Sequence, residues 1–179
     1  MGFLLSVSRF IDAMNQRLSY LANAAILVAC LVSAGNAFSR YAFNASSNAW
    51  LEIQWYMFTV VVMLGTSYVL RMNEHVRVDL VYGSVSPRAQ LWIDVFGLIV
   101  FLMPATLLLA WLSWPLFVDS WRINEMSTNA GGLIRWPVKL LMPVGFALLS
   151  LQGISELIKR VAALRGEAQL DTHYERPVQ

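Results

Sequence analysis

Few side chains in this sequence could carry chemistry, and their spacing does not favour it. Histidine occurs twice, at His75 and His173, and cysteine once, at Cys30. A haem bundle needs histidines facing inward from helices, and a zinc site needs four converging ligands. No His, Cys, Asp or Glu group here has ligand spacing. Cys30 lies inside an apolar run, so neither an internal disulfide nor a thiolate metal site is open to it. No serine sits in a nucleophile elbow, and no Gly-rich loop could cradle phosphate. Glu52 is the best-placed acid for proton work, about one turn inside an apolar segment, although compensation of its helix dipole is the simpler role. Asp94 invites the same reading. Asp119 and Glu156 fall at expected helix C-termini, where they can point to water. The expectation is a protein with no cofactor, no metal and no enzymatic activity.

Composition explains this poverty. The chain has 179 residues, 58% hydrophobic and 13% charged, with a mean hydropathy of +0.56. Soluble domains are about 45–50% apolar and about 25% charged. These values exclude disorder, a nucleic-acid module and an ordinary soluble enzyme, and a net charge of +2 does not signal a polyanion partner. Four segments meet the requirement of about 20 apolar residues per span, at about 18–40, 50–71, 91–118 and 137–158. The expected fold is all-α: a single four-helix transmembrane domain over residues 1–165, followed by a polar tail over 166–179.

Local signals mark the breaks. Asn48 suits the N-cap of the second span, Ser86-Pro87 the N-cap and N1 of the third, and Pro137 the start of the fourth. Pro104, Pro115 and Pro143 fall inside spans and predict kinks. No Lys, Arg, Asp or Glu lies near a span centre, where ion and proton pathways usually place one.

Four spans put both termini on one side. That side carries nine Lys and Arg (Arg9, Arg17, Arg71, Arg77, Arg88, Lys159, Arg160, Arg165, Arg176), against four on the other (Arg40, Arg122, Arg135, Lys139). The positive-inside rule then makes both termini cytoplasmic. Trp50, Trp55, Trp111, Trp114, Trp121 and Trp136 resemble an aromatic belt at the outer interface. The first run, about 20 residues long, exceeds a usual signal-peptide core and favours an uncleaved span.

In the second connection, residues 72–90, Val76, Leu80, Val81 and Val85 can share one side of a short amphipathic helix; a plain polar loop is the alternative. The third connection, residues 119–137, contains Gly131-Gly132 and is expected to be ordered only in part. Ala25, Ala29, Ser33 and Ala37 recur at four-residue steps and form a candidate helix-packing seam. Asn23 and Asn36 add amides that must face protein or the interface. A chain without a catalytic set or transport site, but with adhesive faces, has the profile of a subunit.

Several motifs, in order and spacing, resemble the small membrane subunit of tripartite ATP-independent periplasmic (TRAP) transporters, the DctQ-like family. Asn36-Ala37-Phe38-Ser39-Arg40-Tyr41-Ala42-Phe43-Asn44 is similar to its N-x-x-x-R-Y-x-F-N, and Trp50-Leu51-Glu52-Ile53 to its acidic start of the second span. Leu64-Gly65 stands where that helix usually carries a glycine, and His75-Val76-Arg77-Val78-Asp79-Leu80 resembles its H-x-R-V-D-L segment. The family often has a second acid and an arginine at the second-helix start; Leu51 and Trp55 stand there instead.

The resemblance implies a non-catalytic small permease subunit in a bacterial inner membrane. It would scaffold a large multi-span subunit that carries the sodium and substrate sites, while a periplasmic binding protein delivers an organic acid. Arg40, Tyr41, Asn44, Trp50 and Glu52 would brace the helices or the partner on the outer side. His75, Arg77 and Asp79 would do so on the cytoplasmic side. The third connection would touch the binding protein. The alternative is a stand-alone homo-oligomeric transporter using Glu52. The lipid bilayer is an expected partner on either reading; nucleic acid is not.

Overall fold

A computed structural model describes residues 2–45, 47–73, 82 and 85–167. The described chain is all-helical, and four helices are long and apolar enough to cross a membrane. They are α1 (Gly2–Phe43), α2 (Asn48–Met72), α3 (Pro87–Arg122) and α4 (Trp136–Leu164). The candidate amphipathic segment and the tail beyond Glu167 fall almost wholly outside the described residues.

The start of α1 differs most from expectation. The helix begins at Gly2, well before the apolar run. Its buried residues explain why. Ser8, Asn15, Ala22, Ala29 and Asn36 are all buried and stand seven apart, the repeat that keeps one seam facing a neighbour along a supercoiled helix. Two of the five are asparagine and one is serine, so hydrophobic periodicity could not reveal the seam. The four-residue stripe drifts instead, by about 40° per step at about 100° per residue. Ala25 and Ala29 are therefore buried, while Ser33 and Ala37 face outward.

The helix caps follow local chemistry. Ser47, one residue before the expected Asn48, caps α2, its hydroxyl accepting from the Ala49 N–H at 3.3 Å. Ser86 caps α3 ahead of Pro87, accepting from the Ala89 N–H at 3.4 Å. α1 ends at Asn44 and α2 at Asn73, both in the left-handed region (φ 51° and 63°) that asparagine tolerates. Pro104 has no N–H to donate, and just before it α3 widens into a π turn at Leu98–Leu102, closed by the Met103 N–H bonding to the Leu98 carbonyl. α4 runs on through Pro143.

α4 is the centre of the bundle and contacts each of the other three helices. Its most apolar stretch is 44% buried, against 17–22% for the other three. Glycines allow the approach. A Cβ on Gly145 would lie 2.7 Å from Met63 Cβ and 2.9 Å from the Met63 carbonyl on α2; one on Gly153 would lie 2.8 Å from Leu102 Cδ2 on α3. Ala22, Leu64 and Leu148 form the small apolar core between α1, α2 and α4.

The interior is otherwise polar. The largest fully buried side chains among the described residues are Gln152, Asn15, Ser8, Ser67, Ser120 and Ser155. Large apolar residues such as Phe10, Leu27, Phe58, Phe101 and Trp111 face outward, as a chain solvated by lipid allows.

Gly145→Ala is expected to destabilise the protein by about 1–3 kcal/mol, because the obstructing atom includes backbone. Gly35→Ala, with open space around it, should be neutral or stabilising by up to about 1 kcal/mol. Thermal unfolding in detergent compares the two; equal shifts would refute the close α2–α4 approach.

Candidate functional site

Two polar constructions hold the bundle, one at each end. The first lies where α2 begins. Asn48, Glu52 and Tyr56 stand four residues apart, on one face of α2, and all three grip the third connection. The Asn48 amide donates to the Ala130 carbonyl at 3.1 Å, and the Tyr56 hydroxyl to the Ile134 carbonyl at 2.8 Å. Between them the buried Glu52 carboxylate accepts from the Leu133 N–H at 2.7 Å, the Asn129 amide at 2.8 Å and the Ser127 hydroxyl. Glu52 is therefore a clasp for a distant loop rather than a compensator of its own helix dipole.

The loop is ordered, contrary to expectation. Met126 and Ile134 form an antiparallel bridge, the Ser127 N–H bonds to the Leu133 carbonyl at 3.0 Å, and the Arg135 N–H bonds to the Glu125 carbonyl at 2.9 Å. Gly131 takes φ +69° at the turn. Lys139 pairs with the Glu125 carboxylate, with Arg135 at 3.7 Å. The Lys139 hydrogen bond holds the Glu125 carboxyl below the usual glutamate range.

The second construction lies where α1 begins and α4 ends. Arg160 of α4, buried, donates through Nε to Asp94 of α3 at 2.8 Å, through Nη1 to Glu156, and through Nη2 to Asn73 at the end of α2 at 3.4 Å. Lys159 pairs with Glu156 and, at 3.1 Å, with Asp12 of α1. Arg71 of α2 donates to Gln16 and lies 4.0 Å from Asp12. Gln152 is fully enclosed and fully used. Its amide donates to Asp12 at 2.9 Å and to Glu156 at 3.0 Å, and its carbonyl accepts from Asn15 at 2.7 Å. Ser8 and Ser155 bond at 2.7 Å.

Three carboxylates (Asp12, Asp94, Glu156) thus meet three cations (Arg71, Lys159, Arg160), drawn from all four helices. Glu156 does not point to water as expected: it is only 4% exposed. Asp94 neutralises Arg160 instead of serving only its own helix terminus.

The residues expected to brace the outer side are not gathered into one cluster. Tyr41 is 94% exposed, Trp50 is also exposed, and Arg40 and Asn44 face outward. Among the described residues, no hydrogen bond or ion pair joins Arg40, Tyr41 or Asn44 to Glu52. His75, Arg77 and Asp79 lie outside the described residues. Sequence reasoning overlooked Asn48 and Tyr56 as clasp residues, although polar groups at i, i+4 and i+8 of an apolar helix were a signal for them. It also overlooked Asp12, Gln152 and Lys159.

α1 also carries an unfilled seam. Asn23, Ile26, Cys30, Ser33 and Ala37 are all exposed and share one side, at steps of three and four. The Asn23 amide stands inside the apolar run without shelter from its own chain, as do the small residues beside it.

Residues 29–163 match the family of tripartite ATP-independent periplasmic transporters, DctQ component. The chain belongs to the DctQ family. Neither a curated protein nor a solved structure matches it. The match covers α2, α3, nearly all of α4 and about the last third of α1, and so includes Glu52 with its clasped loop. For this DctQ component, the network residue Asp12 and the pairing half of α1 lie before the matched segment.

Glu52→Leu should leave the Leu133 N–H without its acceptor. Hydrogen exchange at Leu133 is then expected to quicken about ten- to a hundredfold, the equivalent of one hydrogen bond to a charged group at about 1.5–3 kcal/mol. Unchanged exchange would remove the clasp from the account.

Proposed function

We propose that this DctQ component is the non-catalytic small permease subunit of a sodium-coupled, binding-protein-dependent importer of organic acids. It scaffolds a large multi-span subunit in a bacterial inner membrane, with both termini cytoplasmic. The carrying observation is the family match over residues 29–163. The distribution of polar groups supports it: the carboxylates of Asp12, Asp94, Glu156 and Glu52 are committed to bonds within the chain. The same commitment disfavours Glu52 as the proton carrier of a stand-alone transporter.

The scaffold reading also gives the exposed side of α1 an occupant. In lipid, an amide such as Asn23 needs a polar partner, and small residues such as Ser33 and Ala37 let another helix come close. A helix of the large subunit would supply both. At the opposite face of the membrane, the ordered loop over 123–135 offers a fixed surface to a periplasmic binding protein. Arg40, Tyr41 and Trp50, exposed near that end, are proposed partner contacts rather than internal braces. His75, Arg77 and Asp79 are proposed to brace the other side.

Uptake of a radiolabelled organic acid, driven by a sodium gradient, tests this with the large subunit and binding protein present. Omitting this chain is expected to abolish uptake. Ser33→Leu is expected to reduce co-purification of the large subunit while leaving the chain folded. Full uptake without the chain would sink the proposal.

A further inference from the structure

A groove of about 490 Å³ opens between α1 and α2, lined by Arg9, Asp12, Gln16, Arg17 and Tyr20 of α1 and by Arg71 of α2. Its three arginines against one aspartate give a formal charge of +2, as large as that of the whole chain. Asp12 lies 4.0 Å from Arg71 and also serves Gln152, Ser155 and Lys159, so it offsets Arg71 and leaves the other two arginines to set the charge of the groove. Among the described residues, neither Arg9 nor Arg17 has an acid within ion-pair distance. Arg9 spends one donor on the Ser6 hydroxyl at 3.2 Å. The remaining guanidinium donors face an open, strongly cationic recess suited to a phosphate group.

Its depth identifies the source of that phosphate. Arg17 and Arg40 bracket the uncharged stretch of α1, a rise of about 35 Å at about 1.5 Å per residue. Glu52 and Arg71 bracket that of α2, about 29 Å on the same rise. A hydrocarbon core is about 30 Å thick. Arg17 and Arg71 therefore lie side by side at one boundary of the core, at headgroup level, and Arg9 lies beyond it. Exposed Tyr20 suits the same interface. From the groove, the same side of α1 continues toward mid-membrane as exposed Leu27 and Leu31, a track for acyl chains. Asn23 borders this side, three residues after Tyr20 and four before Leu27, so a partner helix seated on Asn23, Ser33 and Ala37 would flank the lipid track.

We propose that the groove binds the phosphodiester headgroup of an anionic phospholipid, with Arg9 and Arg17 on the phosphate beside Arg71 and the acyl chains along Leu27 and Leu31. Bound there, the lipid joins α1 to α2 beside the ion pairs of Asp12 and ties the scaffold to the anionic leaflet.

Native mass spectrometry of the full chain, co-purified with its transporter partners and delipidated, tests the site. Phosphatidylglycerol is expected to be retained in preference to phosphatidylcholine. Each cation near an anionic surface contributes about a factor of five, so Arg9→Gln with Arg17→Gln should weaken retention roughly thirtyfold. Arg88→Gln with Arg165→Gln removes the same charge elsewhere and should change little. Equal retention of the two lipids, or an equal loss in both double variants, overturns the proposal. Competition by millimolar inorganic phosphate overturns the lipid assignment in favour of a soluble anion. A photoactivatable phosphatidylglycerol needs no variant: it should label the wild-type chain around Leu27 and Leu31, and labelling confined elsewhere contradicts the site.

Discussion

The bundle depends on a neutralisation at one end. Buried Glu156 and Arg160 and the partly covered Asp12, Asp94, Lys159 and Arg71 neutralise one another there. An isolated buried charge costs several kcal/mol, and an ion pair repays this only with good geometry and further hydrogen bonds. Gln152, Ser155, Asn15 and Asn73 supply those bonds. The arrangement is directional. Arg160 reaches α3 and the end of α2, and Lys159 reaches α1, so moving one helix would strand a charge belonging to another. Hydrophobic burial could not impose this register, since lipid is as apolar as leucine and offers little reward for packing leucine inside.

The other end uses neutral donors on a single carboxylate. Glu52 collects a hydroxyl, an amide and a backbone N–H from the loop between α3 and α4. With Asn48 and Tyr56 it fixes that loop against α2. The two constructions leave the middle of the bundle to close backbone approach at Gly145 and Gly153 and to small residues. The large apolar side chains are turned outward, to lipid and to whatever protein shares the membrane. The proposed scaffold role needs such a division: the buried charges are paired within the chain, and its outer faces remain available.

How much of this the sequence discloses follows from the range of each interaction. Four uncharged runs, Ser86-Pro87 and Pro137 act locally, and they locate the spans and two of the helix starts. The motif around Asn36 to Asn44, the segment around Glu52 and the segment from His75 carry the family resemblance. The pairings are another matter. Asp12 meets Lys159 across 147 positions of chain and Arg160 meets Asp94 across 66, and nothing local to either residue announces the other. Glu156 reads as a solvated helix end until Arg160 and Lys159 are seen to enclose it. The first 16 residues of α1, up to Arg17, lack a long apolar run, so the pattern starts the helix late. Its buried seam there is serine and asparagine, which pair with α4 by hydrogen bonds rather than by burial of apolar area.

The central claim is that the six-charge network sets the packing of all four helices. A stability cycle at Arg160 tests it most directly, by reversible unfolding in bicelles. Arg160→Gln alone takes the shared guanidinium from Asp94 and Glu156, leaving Glu156 to Lys159 and Gln152, and should cost about 3–5 kcal/mol. Adding Asp94→Asn and Glu156→Gln removes the two carboxylates that Arg160 served and should recover a large part of that loss, a strong coupling between groups in one network. A single variant within about 0.5 kcal/mol of the parent, the range of an ordinary surface change, or a triple variant no more stable than the single one, would contradict the account.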